Sequence, residues 1–376
     1  MVNKMVYKFS ELFEWSSGKP VDVSDIGQVP VYGSNGVIGY CNTEKYKDKI
    51  ILGRVGAYCG SVEYCSNGFN ATDNTLITTC DTSKILYRFA YYLLKQYKLN
   101  GFAGGSAQPL LTQSLLKNLK CNIPDVDIQK GIVGVLEKYD SLIELNTKRI
   151  KTLEQMAENL YKEWFVRFRF PGHEKAEFKN GIPKGWEKVR AEKAITFNPT
   201  IKTHDQTSFT IIPMEALSTT SMILDSNSFT TEDSITGKRS QNGDTLLAKI
   251  TPCLENGKTG FVMGLPEGEV FGGSTEFVVM RSKTLSPYYV YFLARSHYFR
   301  QTAILSMNGA DGRQRVSEDK LKSTKIIQPP KNILDKFDGI VSKMFTTIQT
   351  IVDQNDNLIK QRDLLLPRLM SGKLEG

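Results

Sequence analysis

The sequence predicts an α+β protein in which two similar mixed α/β domains are joined by two long helices that pair as a coiled coil. Three observations predict it: an unbroken helical seam over residues 125–165, a second over 331–370, and a β-rich segment before each with its parts in the same order. A chain of 376 residues is long enough for two or three domains, each burying its own core.

The first seam lies in the central segment 125–170. Apolar or aromatic residues recur at Ile128, Ile132, Val135, Tyr139, Leu142, Ile150, Leu153, Ala157, Leu160 and Trp164. Steps of three and four alternate, giving the narrow stripe of a coiled coil. From Leu142 through Asn146 to Ile150 the step is four twice, a stutter that locally unwinds the supercoil. Asn146 falls on the seam, where a polar residue fixes register. Gly131 and Gly134 weaken only the first turns, and no proline interrupts the stretch. At about 1.5 Å per residue the helix is on the order of 60 Å long. A helix with one apolar seam needs a partner, and the C-terminal segment 331–376 supplies it through Ile333, Phe337, Ile340, Met344, Ile348, Ile351, Leu358, Leu365 and Leu369.

The lead-ins match as well. Leu116-Lys117-Asn118-Leu119 through Ile123-Pro124 precedes the first helix, and Leu321-Lys322-Ser323-Thr324 through Gln328-Pro329 precedes the second. Their offset of about 205 residues is far beyond a solenoid period of roughly 20 to 50, so a domain and its helix are duplicated.

The first globular segment, 1–124, alternates β-rich runs with turns: Val29-Pro30-Val31-Tyr32, Gly33-Ser34-Asn35-Gly36, Val37-Ile38-Gly39-Tyr40, then strands near 49–56 and 74–78. A buried helix over Leu86–Leu99 and a polar glycine loop at Gly104–Pro109 follow. In the second segment, 171–330, the strand at 244–250 parallels 48–55, and Ser274–Val279 parallels 72–77. Tyr288–Phe299 parallels the buried helix, and Gly309–Ser317 the glycine loop. Matching frames carry different exposed residues, such as Gly53-Arg54-Val55-Gly56 against Ala248-Lys249-Ile250-Thr251. Such a pair of domains should bind two versions of one kind of target.

Hydrophobic content of 40% and charged content of 23% fit a globular protein. No apolar run approaches the roughly 18 residues of a spanning helix, and the N-terminus lacks a signal-peptide core, so no membrane role and a cytoplasmic location are expected. The six cysteines (Cys41, Cys59, Cys65, Cys80, Cys121, Cys253) lack zinc-knuckle spacing and are expected as reduced, mostly buried thiols. Net charge is +8, and removing residues 125–165 and 331–376 leaves 35 basic against 26 acidic residues in the rest of the chain. A basic excess confined to globular modules is the footprint of phosphate contact.

On these features the chain resembles the specificity subunit of type I restriction-modification systems over nearly its whole length. The residues that carry the resemblance are the two-part repeat, Tyr32–Gly39, the run from Gly105 through Gln108 to Pro124, the helices after Ile-Pro and Pro-Pro, and the closing Arg362–Gly372. The second loop departs from the first, because in Arg313-Gln314-Arg315 the glutamine stands one position nearer the following helix. The resemblance implies two target recognition domains, each reading one half of a bipartite, asymmetric duplex DNA site. It makes the two long helices an antiparallel coiled coil that sets the unread spacer. Two methylating subunits dock beside it, with ATP-driven restriction subunits in the full complex. It also implies no chemistry and no metal in this chain; S-adenosylmethionine, ATP and Mg belong to the partner subunits.

Base reading needs forks and amides at loop positions. In the first domain the candidates are Asn35, Arg54, Tyr58, Asn74 and Gln108, with Ser34, Lys45, Lys47 and Ser106 for phosphate. In the second they are Lys249, Thr251, Lys258, Arg313, Gln314 and Arg315, with Lys238, Arg239 and Ser274 for phosphate. Each can equally be an ordinary solvated or turn-forming residue. By the heptad count Asp140, Glu144, Arg149, Glu158 and Arg362 are exposed on the helices, where they are candidates for methylating-subunit contact or simply solvated charges.

Two other readings compete. An amino-methyltransferase needs an Asp/Asn-Pro-Pro-aromatic loop, and Asn198-Pro199-Thr200 and Ser286-Pro287-Tyr288-Tyr289 lack the second proline. There is no Gly-x-x-x-x-Gly-Lys-Ser/Thr loop for ATP, and His173, His204 and His297 have no motif partner. A protein-binding scaffold is the other alternative; it predicts no sequence preference on duplex DNA.

Overall fold

The computed structural model describes residues 4–24, 26–104, 109–203, 206–310 and 312–371. The chain forms two compact units: residues 1–144 with 355–376, and residues 145–354.

In the first unit β1 (Lys4–Lys8) precedes β2 (Phe13–Ser17), β3 (Val29–Gly33), β4 (Gly36–Cys41), β5 (Tyr46–Gly53), β6 (Val62–Ala71) and β7 (Thr75–Cys80). Then come α1 (Tyr87–Gln96), α2 (Gln113–Asn118), β8 (Lys120–Pro124) and α3 (Val126–Tyr161). Six strands form one sheet in the order β2-β7-β5-β6-β3-β4, and β1 pairs antiparallel with β8. Within the sheet only β3 and β6 are parallel (Val31 opposite Asn70). The run Ile50-Ile51-Leu52 does not alternate with polar residues because both sheet faces are covered. Ile50 and Leu52 enter the main core with Phe89 and Leu93 of α1, while Ile51 joins Phe69 and Ile77 on the other face. Strand β5 bends at Asp48, which has φ +51° and marks a register shift between Lys47 and Lys49.

The second unit repeats this plan in shorter pieces. After a small hairpin of β9 (Phe178–Lys179) and β10 (Ile182–Pro183) come β11 (Glu187–Arg190), α4 (Ala191–Ala194), β12 (Ile195–Phe197), β13 (Phe209–Ile212), β14 (Thr230–Glu232) and β15 (Lys238–Ser240). They are followed by β16 (Thr245–Ala248), β17 (Thr259–Phe261), β18 (Phe271–Gly273) and β19 (Phe277–Ser282). The unit closes with α5 (Pro287–Arg295), α6 (His297–Leu305), α7 (Glu318–Ser323), β20 (Lys325–Gln328) and α8 (Lys331–Ser371), the last running on into the first unit. The sheet β12-β19-β16-β17 matches β2-β7-β5-β6, and β11 pairs with β20 as β1 does with β8. The parallel pairing of β3 with β6 returns as β13 with β18. What is one bent strand in the first unit is two in the second: β5 corresponds to β15 plus β16, and β6 to β17 plus β18. The second unit therefore has two four-stranded sheets where the first has one of six. The buried helix is also split, since Ser296 accepts from the Phe299 amide and starts α6. The lead-ins fold alike, with Thr112 capping α2 and Ser317 capping α7.

Both long helices pass through both units, and within each unit the two segments run in opposite directions. In the first, α3 and α8 meet at Asp140 and Arg362, while Ile132 and Leu136 share a core with Leu369 and Met370. In the second, Trp164 packs on Phe337, while Ile150 shares a core with Ile348 and Ile351. The buried stripe follows the expected seam at Ile132, Ile150, Ala157, Trp164, Ile333, Phe337, Ile348, Ile351 and Leu369, and slips by one residue near Leu142 and Ile340. Leu142 is 43% exposed and Ile340 41%, whereas Leu136, Val341 and Phe345 are buried. Each misplaced position has an apolar neighbour, and 3.6 residues per turn drifts across a strict 3.5 repeat until that neighbour faces inward. Asn146 is buried as expected. After Tyr161 the helix ends in a π turn, Lys162–Val166.

All six cysteines are free; Cys253 alone is partly exposed, and burial pushes the Cys80 and Cys121 thiols up to about 12. Among the described residues no helix is long and apolar enough to cross a membrane, and no group of three or more His, Cys, Asp or Glu could hold a metal.

Candidate nucleic-acid interface

In the first unit the turn between β3 and β4, the end of β5 and the turn before β7 meet. Ser34 Oγ donates to the Asn74 carbonyl at 2.7 Å and accepts the Val55 amide at 3.3 Å, and Ser61 Oγ donates to the Ser34 carbonyl at 2.7 Å. The Arg54 amide donates to the Asn74 carbonyl and the Arg54 carbonyl accepts the Leu111 amide, so Arg54 sits between the β7 turn and the segment after the glycine loop. Such close packing requires Gly53, where an added Cβ would lie 2.5 Å from the Tyr58 carbonyl oxygen and 2.8 Å from that of Ser34. Arg54 Nε is buried and unpartnered among the described residues. Asn35, Asn74 and Tyr58 are exposed around it. Lys45 and Lys47 are exposed at the start of β5 and bond to none of these loop residues. Ser106 and Gln108 lie outside the described residues.

The second unit builds the same frame with the same backbone bonds. The Lys249 amide donates to the Glu276 carbonyl, as Arg54 does to Asn74. The Val316 amide donates to the Lys249 carbonyl as Leu111 does to Arg54, and the Thr251 amide to the Gln314 carbonyl as Gly56 does to Pro109. Arg54 is thus the counterpart of Lys249, Asn74 of Glu276, Pro109 of Gln314 and Leu110 of Arg315. This register places Gln314 opposite Pro109, not opposite Gln108, which resolves the offset of the two glutamines.

The side chains on that frame differ sharply. Arg315 donates through Nε (3.0 Å) and Nη2 (2.7 Å) to the Glu276 carboxylate, and through Nη1 to the Arg313 carbonyl at 3.3 Å. This guanidinium holds the Glu276 carboxyl below its usual range. Lys238 and Lys249 each lie 3.8 Å from Glu318 Oε1, and Asn198 Nδ2 donates to Glu318 Oε2 at 2.8 Å. Asn198-Pro199 is therefore a turn bound to the cluster, and Ser286-Pro287 opens α5. Other candidates too have polar groups engaged inside the protein: Ser34 as above, Ser274 accepting the Glu276 amide, Arg239 on the Ile201 carbonyl, Lys258 on the Met214 carbonyl and Thr251 Oγ1 on the Gln314 carbonyl at 3.4 Å. Arg313 is exposed. Sequence reasoning sought cations and amides and passed over Glu276 and Glu318, although Glu276 stands in the strand lead-in already matched to 72–77.

The expected exposure of the helix candidates needs correction at two residues. Asp140 and Arg362 are about four-fifths buried and bonded to each other at 2.8 Å, because the displaced stripe turns both inward. Tyr92 adds a 2.5 Å bond to Asp140. Glu144 and Arg149 are exposed. Glu158 pairs with Lys162 at 2.6 Å beside a cavity of about 910 Å³ floored by Tyr161, Phe165 and Phe292.

Residues 1–155 match the family model for the type I restriction modification DNA specificity domain. The chain is 27% identical over 308 residues to the type I restriction enzyme MjaIX specificity subunit of Methanocaldococcus jannaschii, covering 77% of this chain and 69% of that one. It is 30% identical over 131 residues to the EcoprrI specificity subunit of Escherichia coli, covering 35% of this chain but only 32% of that one. Its fold is similar to the crystal structure of a type I restriction-modification S subunit from M. genitalium, with a TM-score of 0.58 at 14% identity over 98% of this chain and 96% of that one. The matched domain and the curated relatives are all type I restriction-modification specificity proteins, and it is to these that the chain is similar in sequence, with a fold similar to that of an S subunit.

Proposed function

We propose that residues 1–124 and 171–330 each read one half of a bipartite, asymmetric duplex DNA site, and that the paired helices set the spacer and dock two methylating subunits. The observation that carries this reading is the repeated frame with unlike side chains at matched positions, Arg54 and Asn74 against Lys249 and Glu276. A duplicated reader with diverged contacts acts like a DNA-binding dimer whose half-sites need not be palindromic. Phosphate contact falls to the basic globular surface, with Lys45 and Lys47 in the first domain and Lys238 in the second. Base contact falls to Asn35, Arg54, Tyr58 and Asn74, and to Lys249, Arg313 and Arg315. Glu144, Arg149 and Glu158 are the helix residues offered to the methylating subunits. S-adenosylmethionine, ATP and Mg stay with those subunits and with the restriction subunits of the full complex.

The test is to co-express the chain with a methylating subunit of its system and map methylated adenines across a genome. One two-part motif with a fixed gap is expected; scattered or absent methylation overturns the proposal. Affinity of the complex for duplex DNA should also fall steeply from low to moderate salt, as phosphate-dominated binding requires.

A further inference from the structure

We propose that Glu276 and Arg315 form a buttressed guanine reader in the second domain, with Glu276 as its positioning residue; the inference rests on the DNA reading above. A guanidinium has two forks of paired N–H groups, one at its side (Nε and one Nη) and one at its end (both Nη). The Glu276 carboxylate occupies the side fork, taking Nε at 3.0 Å and Nη2 at 2.7 Å. One further Nη1 proton goes to the Arg313 carbonyl at 3.3 Å. That bookkeeping leaves one N–H on each Nη, the end fork whose spacing matches O6 and N7 of guanine in the major groove.

Placement agrees with this role. The Arg315 side chain is 47% exposed, against 24% for the carboxylate that holds it. Its backbone is fixed on both sides by hydrogen bonds with Asn308 (3.0 and 2.9 Å), and the Glu276 amide is fixed by Ser274 Oγ at 3.1 Å. A long side chain that is already oriented loses less rotamer freedom on binding. Among the described residues the first domain has no such device: Asn74 stands at the position of Glu276 and Leu110 at that of Arg315. This buttressed contact therefore belongs to the half-site of the second domain.

The experiment uses the full chain co-expressed with its methylating subunit and compares the methylated motif of the wild type with those of Glu276→Gln and Arg315→Lys. The wild-type motif should contain a guanine in the half read by the second domain. Both variants should lose preference at that base pair, by roughly tenfold to a hundredfold, and leave every other position of both halves unchanged. Loss at all positions together, a change in the other half-site or an unaltered motif overturns the inference. Arg315→Lys guards against a folding defect, since it changes only an exposed side chain. If the wild type itself yields no two-part motif, the functional proposal fails first, and this inference falls with it.

Discussion

Glu276 and Arg315 lie 39 residues apart, and their pairing sets a pH response as well as a geometry. The carboxyl is held below the ordinary glutamate value of 4.5, so the folded chain binds its proton more weakly than the unfolded chain does. The pair's contribution is fully present above that value and disappears as pH falls through the lowered one. Because Arg315 is largely solvated, water screens the pair and the contribution is small. Glu276→Gln should lower stability slightly near neutrality, and its difference from the wild type should vanish in acid; denaturant titrations at several pH values measure it. A larger effect is expected at Arg362. Arg362→Ala strands a largely buried Asp140 on Tyr92 and should cost about 1.5–3 kcal/mol, partly recovered when Asp140→Ala is added. Neither ion pair was legible in the sequence, because nothing local links position 140 to 362 or 276 to 315. The residue types were legible as candidates; which of them are engaged inside the protein is decided by strands and helices distant along the chain.

At the scale of elements the duplication was readable, since lead-in, strand and glycine loop recur in order and the backbone bonds of the two frames coincide. The splitting of β5 and β6 into two pairs of shorter strands was not readable. It arises where Asp48 bends one continuous strand and the second unit instead inserts Gln241–Asp244, and where residues 262–270 interrupt its other strand. The helix stripe was legible to within one residue, failing where two apolar residues stand side by side, as at Ile340-Val341. One consequence distinguishes the two frames. Gly53 has no room for a Cβ, whereas its counterpart Ala248 carries one and is fully buried. Gly53→Ala should destabilise the first unit by about 1–3 kcal/mol and disturb the half-site proposed for it, while the reverse change, Ala248→Gly, should disturb the second unit far less. Thermal unfolding and the methylated motif of each variant check this.

For the whole molecule, the sequence placed a domain before each helix, but the compact units divide the chain differently. One unit is a single stretch, 145–354, and the other joins 1–144 to 355–376. The reason lies in the last turns of α8, where Leu369 and Met370 are buried in the core that holds Phe89 and Leu136. A chain ending at Gln354 should therefore keep hydrogen-exchange protection over 171–330 and lose it in β1, β8 and the first half of α3. Full protection of those elements in the shortened chain would refute the assignment. The same division orders events at the ribosome. The domain made first must wait for residues 355–371 to be made, and the domain made second is whole before they emerge. A nascent chain thus acquires its two compact units in reverse of the order in which their strands are translated.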